Sequence, residues 1–304
     1  MPRLAFVFPG QGTQYIGMGK ELASLYPEAA LVFDQADAIA GYKISDLCFS
    51  GPSDILNQTE FCQPALMTTC LAILAVVEAK GIKPDMLAGL SLGEYTALVA
   101  AGALDFSQAL PLVQTRARLM QNAVPQGKGA MAAVLGMDYD VLQATCQEVG
   151  VDIANLNCPG QVVIAGEREA VLKAGDILRE KGGRFQLLDV SVPSHSRLMT
   201  SAAAKFKEEL KKIPWENPVP PVISNVTAQE HNQSQIVDLL VKQMYSPVQW
   251  EASVKYMAQK VDYFIEIGPG KTLSGLIKRT VRGRLLGNVE DSKSLEKVLA
   301  EVEA

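Results

Sequence analysis

The order of the predicted strands and helices places this 304-residue chain in the α/β class. In the first half, short apolar strands alternate with longer helical segments, which is typical of a mainly parallel sheet covered by helices. In the middle, a β-α-β-β-α-β succession indicates a split, ferredoxin-like unit. The length suits one large domain with a smaller one inserted in it. We therefore expect a large domain built on a parallel sheet and a small ferredoxin-like subdomain.

The first part of the chain supplies the large domain. Residues 3–8 form the first predicted strand, and a glycine-rich loop follows at 9–14. The next predicted elements are a helix through Leu22 to Leu25, a helix over 63–80, a strand over 84–88, and helices over 94–101 and 107–122.

The small unit begins after the glycine-rich stretch at 125–129. Its predicted strands and helices are, in order, strand 130–135, helix 139–148, strand 152–157, strand 161–165, helix 170–181 and strand 184–192. This segment is short for an independent core, so we interpret it as an insertion. The sequence predicts a small subdomain over 127–193 and a discontinuous large domain over 1–126 and 194–304.

The last part of the chain returns to the large domain. We predict an exposed, charged helix face over 205–212 and a buried strand over 222–226 after a proline-rich connection. The strand over 264–268 is the last one that the pattern indicates. No internal repeat and no low-complexity tail is visible.

Composition excludes several classes of protein. The chain is 48% apolar and 20% charged, and its net charge is -5, which argues against nucleic acid as the main partner. We expect that no apolar run reaches the length of a membrane span, and the first residues are typical of a strand, not of a signal peptide. The five cysteines include no C-x-x-C pair, so we predict no disulfide framework, no zinc site and a cytoplasmic location.

The candidate nucleophile is Ser91, in the G-x-S-x-G run Gly89-Leu90-Ser91-Leu92-Gly93. A predicted strand precedes this run and a predicted helix follows it. A serine on such a sharp turn is exposed, and the helix N-terminus lies where negative charge develops during acyl transfer. An ordinary Gly/Ser turn is the alternative interpretation. Cys158 is a much weaker candidate nucleophile.

A nucleophilic serine needs a base, and the chain has two histidines. His231 lies in a polar stretch and is expected to be a solvated surface residue. His195 follows the predicted strand 184–192 and precedes a helix, so it lies at the carboxyl end of a strand, as Ser91 does. We therefore predict His195 as the general base.

Three further features could contact a ligand. The Gly10-Gln11-Gly12 loop matches neither dinucleotide nor phosphate-binding motifs and is better suited to aim a backbone N–H at an oxyanion. Lys271, after a strand-ending turn, is a possible contact for an anion. Arg116 is bracketed by apolar residues of its helix and should face the core, unlike Arg118. A structural salt bridge is the more frequent explanation for such an arginine, and a bound carboxylate is the other.

These segments together resemble the malonyl-CoA:acyl carrier protein transacylase family. The resemblance runs nearly end to end. Its motifs are Phe8-Pro9-Gly10-Gln11-Gly12, Gly89-x-Ser91-Leu92-Gly93-Glu94-Tyr95, Arg116, Val192-Pro193-Ser194-His195, Ser246-Pro247-Val248-Gln249-Trp250 and Glu266-x-Gly268-Pro269-Gly270-Lys271. The large domain should accordingly be α/β-hydrolase-like.

The resemblance implies a ping-pong transfer. Ser91, activated by His195, would attack malonyl-CoA, and the phosphopantetheine thiol of acyl carrier protein would then take the malonyl group. The backbone N–H groups of Gln11 and Leu92 would form the oxyanion hole, and Arg116 would bind the malonyl carboxylate. The backbone carbonyl of Gln249 would orient His195. No cofactor is implied beyond the coenzyme A thioester, which is a substrate, and no membrane partner.

Two features qualify the resemblance. Many relatives have histidine where this chain has Leu90, whose side chain we expect to point away from the acyl site. Leu92 is the residue common in malonyl-selective members, although one methyl group changes selectivity by only about 1–3 kcal/mol, so methylmalonyl transfer stays open.

The densest cationic run comprises Lys278, Arg279, Arg282 and Arg284. Part of it, Lys278 and Arg279, is a candidate docking patch for the acidic carrier protein, and a solvated helix face is the alternative.

Three other functions share parts of this pattern. A serine hydrolase or thioesterase would use Ser91 and His195, but a carboxylate clamp at Arg116 favours a diacid acyl group. A catalytically idle carrier-binding subunit would not need the intact nucleophile, base and oxyanion loop. A free-standing acyltransferase of a polyketide synthase would keep the same chemistry.

Overall fold

The computed structural model of the chain describes residues 2–190 and 192–303. It confirms the α/β class, with one parallel and one antiparallel sheet. The strands are β1 (Leu4–Phe8), β2 (Met86–Gly89), β3 (Gly129–Leu135), β4 (Asp152–Cys158), β5 (Gln161–Glu167), β6 (Arg184–Leu187), β7 (Val222–Ile223), β8 (Tyr263–Ile267) and β9 (Leu285–Val289). Ser191, in the predicted strand 184–192, is outside the described residues, and that strand ends at Leu187.

Helices cover the large sheet and one face of the small one. They are α1 (Lys20–Leu25), α2 (Pro27–Ala40), α3 (Ile44–Ser50), α4 (Ser53–Leu56), α5 (Thr59–Ala79), α6 (Leu92–Ala100), α7 (Phe106–Gln121), α8 (Tyr139–Val149), α9 (Arg168–Glu180), α10 (Thr200–Leu210), α11 (Ile236–Gln243), α12 (Trp250–Met257), α13 (Thr272–Thr280) and α14 (Ser292–Glu303). Two short 3-10 turns, Arg197–Met199 and Gln233–Gln235, precede α10 and α11.

The parallel sheet has the strand order β7-β2-β1-β8-β9. In the central strand β1, Phe6 and Phe8 join one apolar cluster while Ala5 and Val7 join another, so both faces are buried. The predicted strand over 222–226 is only two residues long. The strand over 264–268 is not the last one, because β9 pairs with β8 at the sheet edge. Residues of β9 are mostly half-buried, which weakened its apolar signal.

The longest helix, α5, lies in the core of the large domain. It has the length and apolar composition of a membrane-spanning helix, so the expectation that no apolar run reaches that length is wrong. In the fold, 83% of its most apolar 18-residue window is buried. Its apolar character is therefore that of a core helix packed on several neighbours.

The antiparallel sheet has the order β4-β5-β3-β6, as the ferredoxin-like pattern predicts. Alternate residues of its strands face opposite sides. Ala132 and Val134 pack against α8 and α9, whereas Met131 and Ala133 belong to a small cluster on the face that carries no helix. That uncovered face turns towards the large domain.

Main-chain hydrogen bonds join β4 of the antiparallel sheet to the segment just before α12. The N–H of Val248 donates to the carbonyl of Ala154 at 2.8 Å, and the N–H of Leu156 donates to the carbonyl of Val248 at 2.9 Å. The Arg197 guanidinium also binds the Asp152 carboxylate at 2.7 Å. The antiparallel sheet and its two helices lie within 127–193, and the domain boundaries at 127 and 193 stay a prediction.

The close approach of α6 to β1 predicts a sharp contrast between two glycines. A Cβ on Gly93 would collide with the carbonyl of Phe8, while a Cβ on Gly275 in α13 would meet nothing within 4 Å. We expect Gly93→Ala to lower the free energy of unfolding by about 1–3 kcal/mol or more. Gly275→Ala should leave it unchanged or raise it by up to about 1 kcal/mol. Urea unfolding of both variants checks this, and equal effects would contradict the close packing at Gly93.

Candidate active site

A cavity of about 460 Å³ lies between the parallel sheet and the uncovered face of the antiparallel sheet. It is lined by residues in and next to both sheets, among them Gln11, Ser91, Met131, Val163, His195 and Leu276. The cavity is therefore bordered by the end of β1, the turn after β2 and the loop before the first 3-10 turn. Two of the residues predicted to carry chemistry, Ser91 and His195, meet there.

Ser91 occupies a strained turn between β2 and α6. Its φ of 56° and ψ of -100° lie outside the regions that non-glycine residues favour. Asn225, which is buried, supports this conformation: its Oδ1 accepts from the Ser91 N–H at 2.7 Å and its Nδ2 donates to the Gly89 carbonyl at 2.7 Å. The side chain of Asn225 thus clamps both sides of the nucleophile turn.

His195 lies beside Ser91, as predicted. Its Nε2 is 2.8 Å from the Ser91 Oγ, and its Nδ1 is 2.6 Å from the backbone carbonyl of Gln243. A carbonyl only accepts hydrogen bonds, so Nδ1 carries the proton and Nε2 is the acceptor for the serine hydroxyl. This is the tautomer that a general base requires.

The orienting carbonyl is not the one expected. The Gln249 carbonyl accepts hydrogen bonds from the backbone N–H and the Oγ of Ser253 at 2.9 and 2.8 Å, inside α12. Gln249 contacts the site region only through its N–H, which donates to the Asn225 carbonyl at 2.7 Å. The prediction for Gln249 is therefore wrong, and Gln243, at the end of α11, supplies the carbonyl. Gln243 precedes the Ser-Pro-Val-Gln-Trp motif, and Gln249 lies in it. A role of the backbone carbonyl leaves no signature in the amino-acid sequence.

The surroundings of His195 keep its imidazole neutral. Burial, and next to it the positive charge of Arg116, lower its pKa from the ordinary 6.5 to about 4. A histidine with this pKa is unprotonated at neutral pH, so its Nε2 can take the proton of Ser91 without first losing one of its own.

The predicted oxyanion donors lie at the same cavity. Gln11 and Leu92 both line it, and Leu92 is the first residue of α6, whose N-terminus carries partial positive charge. Within the described residues, neither backbone N–H donates a main-chain bond outside regular helices and strands. Their role as an oxyanion hole stays a prediction, and their placement suits it.

Arg116 is buried next to the nucleophile, whereas Arg118 is exposed and pairs with Glu60. The Nη1 of Arg116 donates to the Gln63 Oε1 at 2.6 Å. Its Nη2 donates to the Gln243 Oε1 at 2.9 Å and to the Ser91 Oγ at 3.2 Å.

A structural salt bridge does not explain this arginine. Among residues 2–190 and 192–303, Arg116 forms no ion pair with a carboxylate, and its Nε has no partner. The guanidinium also stacks 5.0 Å from the ring centre of Tyr95. A buried cation held by neutral groups is suited to receive an anion.

His231 is not a solvated surface residue, contrary to the prediction. It is 6% exposed, and its Nε2 is 2.6 Å from the Oε1 of Glu94, which is fully buried in α6. The polar neighbours of His231 in sequence suggested exposure, but its side chain turns inward to a carboxylate 137 residues away. Sequence reasoning also missed Gln63, Asn225 and Gln243, because single amides in helices and loops carry no motif.

The remaining candidate residues, Cys158, Lys271 and Leu90, have other contacts. Cys158 is buried, and burial raises the pKa of its thiol, which does not suit a nucleophile. Lys271 is 3.7 Å from Glu290. Leu90 is half-buried, borders the cavity and packs on the apolar cluster that includes Val248; the expected direction of its side chain stays a prediction. In the described parts of the chain, no group of three or more His, Cys, Asp or Glu could hold a metal ion.

The arrangement can carry acyl transfer or ester hydrolysis through a serine ester, because the Ser91 hydroxyl and a neutral imidazole meet at one cavity. The acyl transferase domain family matches residues 5–299. The chain belongs to that family.

Curated relatives and solved structures resemble the chain over nearly its full length. Malonyl CoA-acyl carrier protein transacylase of Bacillus subtilis (strain 168) is 47% identical over 304 residues, covering 97% of this chain and 96% of the relative. The enzyme of the same name from Escherichia coli (strain K12) is 48% identical over 289 residues, covering 92% and 94%. The resemblance noticed in the sequence is confirmed.

Solved structures share the fold closely. Malonyl-CoA:acyl carrier protein transacylase from Xanthomonas oryzae superposes with a TM-score of 0.96 at 43% identity, covering 99% of this chain and 98% of that one. A malonyl-transacylase in complex with a type II polyketide acyl carrier protein superposes with a TM-score of 0.95 at 44% identity, covering 98% and 99%.

The low pKa of His195 predicts the pH dependence of Ser91 reactivity. Inactivation by phenylmethanesulfonyl fluoride, a neutral serine reagent, should lose rate on the acid side only near pH 4. Arg116→Ala removes a charge that lowers this pKa, so the acid limb should move to higher pH, towards 6.5. Arg116→Lys keeps a charge and should stay closer to wild type. An acid limb that is the same in wild type and Arg116→Ala would contradict the electrostatic coupling.

Proposed function

We propose that this protein transfers a malonyl group from malonyl-CoA to the phosphopantetheine thiol of acyl carrier protein through a malonyl-Ser91 intermediate. The observation that carries the proposal is Arg116, a buried guanidinium 3.2 Å from the nucleophile and without a carboxylate partner in the described chain. A malonyl group differs from other small acyl groups by its free carboxylate, which is the anion this site lacks. The names of the relatives support the same substrates.

In the first half-reaction, the Oγ of Ser91 attacks the thioester carbonyl while His195 Nε2 takes the hydroxyl proton. The carbonyl oxygen becomes an oxyanion, placed for the N–H groups of Gln11 and Leu92. Collapse of the tetrahedral intermediate breaks the C–S bond, and the coenzyme A thiolate leaves with the proton from His195. The positive charge that forms on His195 is stabilised by the Gln243 carbonyl on Nδ1.

Acylation changes what Arg116 can bind. In the unacylated site, one Nη2–H donates to the Ser91 Oγ. In the malonyl ester this oxygen is a much weaker acceptor, so the N–H turns to the malonyl carboxylate, two carbons along the acyl group. Hydrogen bonds to charged groups contribute about 1.5–3 kcal/mol, enough to prefer a diacid over a neutral acyl group about 10- to 150-fold.

In the second half-reaction, the thiol of the carrier protein replaces Ser91 as the nucleophile. His195 Nε2, neutral again after coenzyme A has left, takes the thiol proton and returns it to the Ser91 Oγ as the ester bond breaks. The same residues thus serve both directions of the exchange, which is the ping-pong mechanism. No cofactor is needed for these steps, and we place the enzyme in the cytoplasm.

The pathway has two candidates. Fatty acid synthesis is the first candidate destination of the malonyl group. The solved complex with a type II polyketide carrier protein favours a polyketide synthase as the second candidate, because that malonyl-transacylase is 44% identical to this chain. Comparing carrier proteins of both kinds as acceptors separates them.

Intact-mass spectrometry tests the proposal. Wild-type enzyme mixed with malonyl-CoA and no acceptor should gain one malonyl group, and Ser91→Ala should gain none. Acyl carrier protein in its phosphopantetheinylated form should then discharge the adduct, whereas its apo form should not. Steady release of coenzyme A into water without an adduct would indicate a hydrolase, and neither adduct nor turnover would indicate an idle subunit.

We also propose that the carrier protein docks next to α13. Thr272, Leu273 and Leu276 of this helix line the cavity, and its last turn exposes Lys278 and Arg279. Arg279 donates to Gln161, another residue of the cavity lining, at 2.9 Å. Arg284, in contrast, donates to the carbonyls of Val261 and Asp262 and has a structural role.

Charge reversal tests this patch. Lys278→Glu with Arg279→Glu should raise the KM for acyl carrier protein several-fold at low ionic strength, because like charges slow the encounter. The rate of malonyl loading from malonyl-CoA should change little. Lys173→Glu, on the exposed face of α9, is the matched control and should change neither. An unchanged KM at low salt would reject the docking site.

A further inference from the structure

The side-chain amide of Gln243 connects the nucleophile, the arginine and a buried carboxylate. Its Oε1 accepts from Arg116 Nη2 at 2.9 Å. Its Nε2 donates to the Ser91 carbonyl at 2.9 Å and to the Glu94 Oε2 at 2.7 Å. Every polar atom of this amide therefore has a partner, although the side chain is fully buried.

The orientation of this amide matters for Arg116. If the amide were flipped, its NH2 group would face the N–H groups of the guanidinium, and its oxygen would face the Ser91 carbonyl and Glu94. Both ends would then lose their hydrogen bonds in a buried site, where an unsatisfied polar group is strongly unfavourable. A carboxylate cannot donate, so Glu94 selects the orientation that presents an oxygen to Arg116.

The Glu94 carboxylate has further hydrogen-bond partners besides Gln243. Its Oε1 lies 2.6 Å from the His231 Nε2, and its Oε2 also accepts from the Asn225 N–H at 3.2 Å. Glu94 is fully buried, three residues after Ser91 in α6. Burying a carboxylate is costly unless it is hydrogen-bonded throughout, as this one is.

The intervening amide also keeps the guanidinium available. A carboxylate in direct contact with Arg116 would occupy the donors that a substrate carboxylate needs. With Gln243 between them, Glu94 supplies negative charge without touching the guanidinium, and the Nη2–H that donates to Ser91 Oγ can turn to the acyl group once Ser91 is acylated.

We propose that Glu94 is a positioning residue that acts through the side-chain amide of Gln243 to aim Arg116 at the acyl carboxylate, so that it sets the preference for diacid acyl groups. This inference rests on the proposed malonyl transfer. His231, bonded to the far oxygen, holds the Glu94 carboxylate in place.

Single-turnover acylation tests it. The rates of Ser91 acylation by malonyl-CoA and by acetyl-CoA are measured by intact mass, and their ratio gives the preference for malonyl. Glu94→Met, of similar length but without acceptor oxygens, should lower this ratio about tenfold, with acetylation changed less than about twofold. Glu94→Gln keeps one oxygen that can accept from Gln243, so its ratio should stay within about threefold of wild type. Arg116→Ala marks the largest loss of preference attainable.

Three outcomes would overturn the inference. If Glu94→Met lowers the acylation rates with malonyl-CoA and with acetyl-CoA equally, Glu94 has a general structural role. An unchanged ratio in that variant would mean no role in specificity. A ratio as low in Glu94→Gln as in Glu94→Met would mean that charge alone, not amide orientation, matters. The proposed function fails in a different way, through absence of a malonyl adduct on wild type.

A double-mutant cycle tests the route through Gln243. In Gln243→Met, which keeps the main-chain carbonyl at His195, adding Glu94→Met should not lower the ratio further. Additive losses would contradict the route. If Glu94→Met does not fold, the His231 pair replaces it: His231→Leu should lower the ratio about threefold, and His231→Gln, which retains a donor to Glu94, should restore it. Equal ratios in His231→Leu and wild type would count against the inference.

Discussion

The buried positive charge of Arg116 is the constraint on which the rest of the site depends. Neutral oxygens of Gln63, Gln243 and Ser91 hold the guanidinium in place, and none of them neutralises it. Next to burial, this positive charge keeps His195 unprotonated, so that the imidazole can act as a base. In the proposed function it also attracts an acyl group that carries its own carboxylate. In the proposed function, one side chain thereby links the reactivity of Ser91 to the choice of substrate. Because a buried cation is unstable without nearby negative charge, the buried carboxylate of Glu94, linked to Arg116 through Gln243, offsets its charge.

The backbone around this charge is held in unfavourable conformations by packing on several sides. Ser91 and His195 both have positive φ values, 56° and 60°. Asn225 fixes the first of them, and the main-chain bond from the His195 N–H to the Met244 carbonyl, at 3.0 Å, fixes the second. These two partners come from two separate parts of the chain, one after β7 and one after α11, and the uncovered face of the small sheet closes the cavity. Catalytic geometry therefore requires the whole fold, not the local motif alone.

How much of this the sequence could predict depends on the kind of signal each part leaves. The βα alternation predicted the fold. The strand-turn-helix around Ser91 and the rarity of histidine predicted that Ser91 and His195 lie side by side. The residues that complete the site leave no such signal. Gln243 contacts the site through a main-chain carbonyl and an ordinary amide, 152 residues from Ser91, so the more conspicuous motif around Gln249 points to the wrong carbonyl. The polar neighbours of His231 in sequence predict a surface residue, because local polarity does not show that the side chain binds a buried carboxylate.

Isothermal titration of the Ser91→Ala protein with malonyl-CoA and with acetyl-CoA measures the contribution of the Arg116 charge without any chemistry. The site described above should bind malonyl-CoA about 10- to 150-fold more tightly than acetyl-CoA, the range expected for hydrogen bonds to a charged group. Adding Arg116→Ala should abolish the difference and leave acetyl-CoA binding nearly unchanged. Equal affinities for the two thioesters while Arg116 is present would contradict the central role of the buried guanidinium.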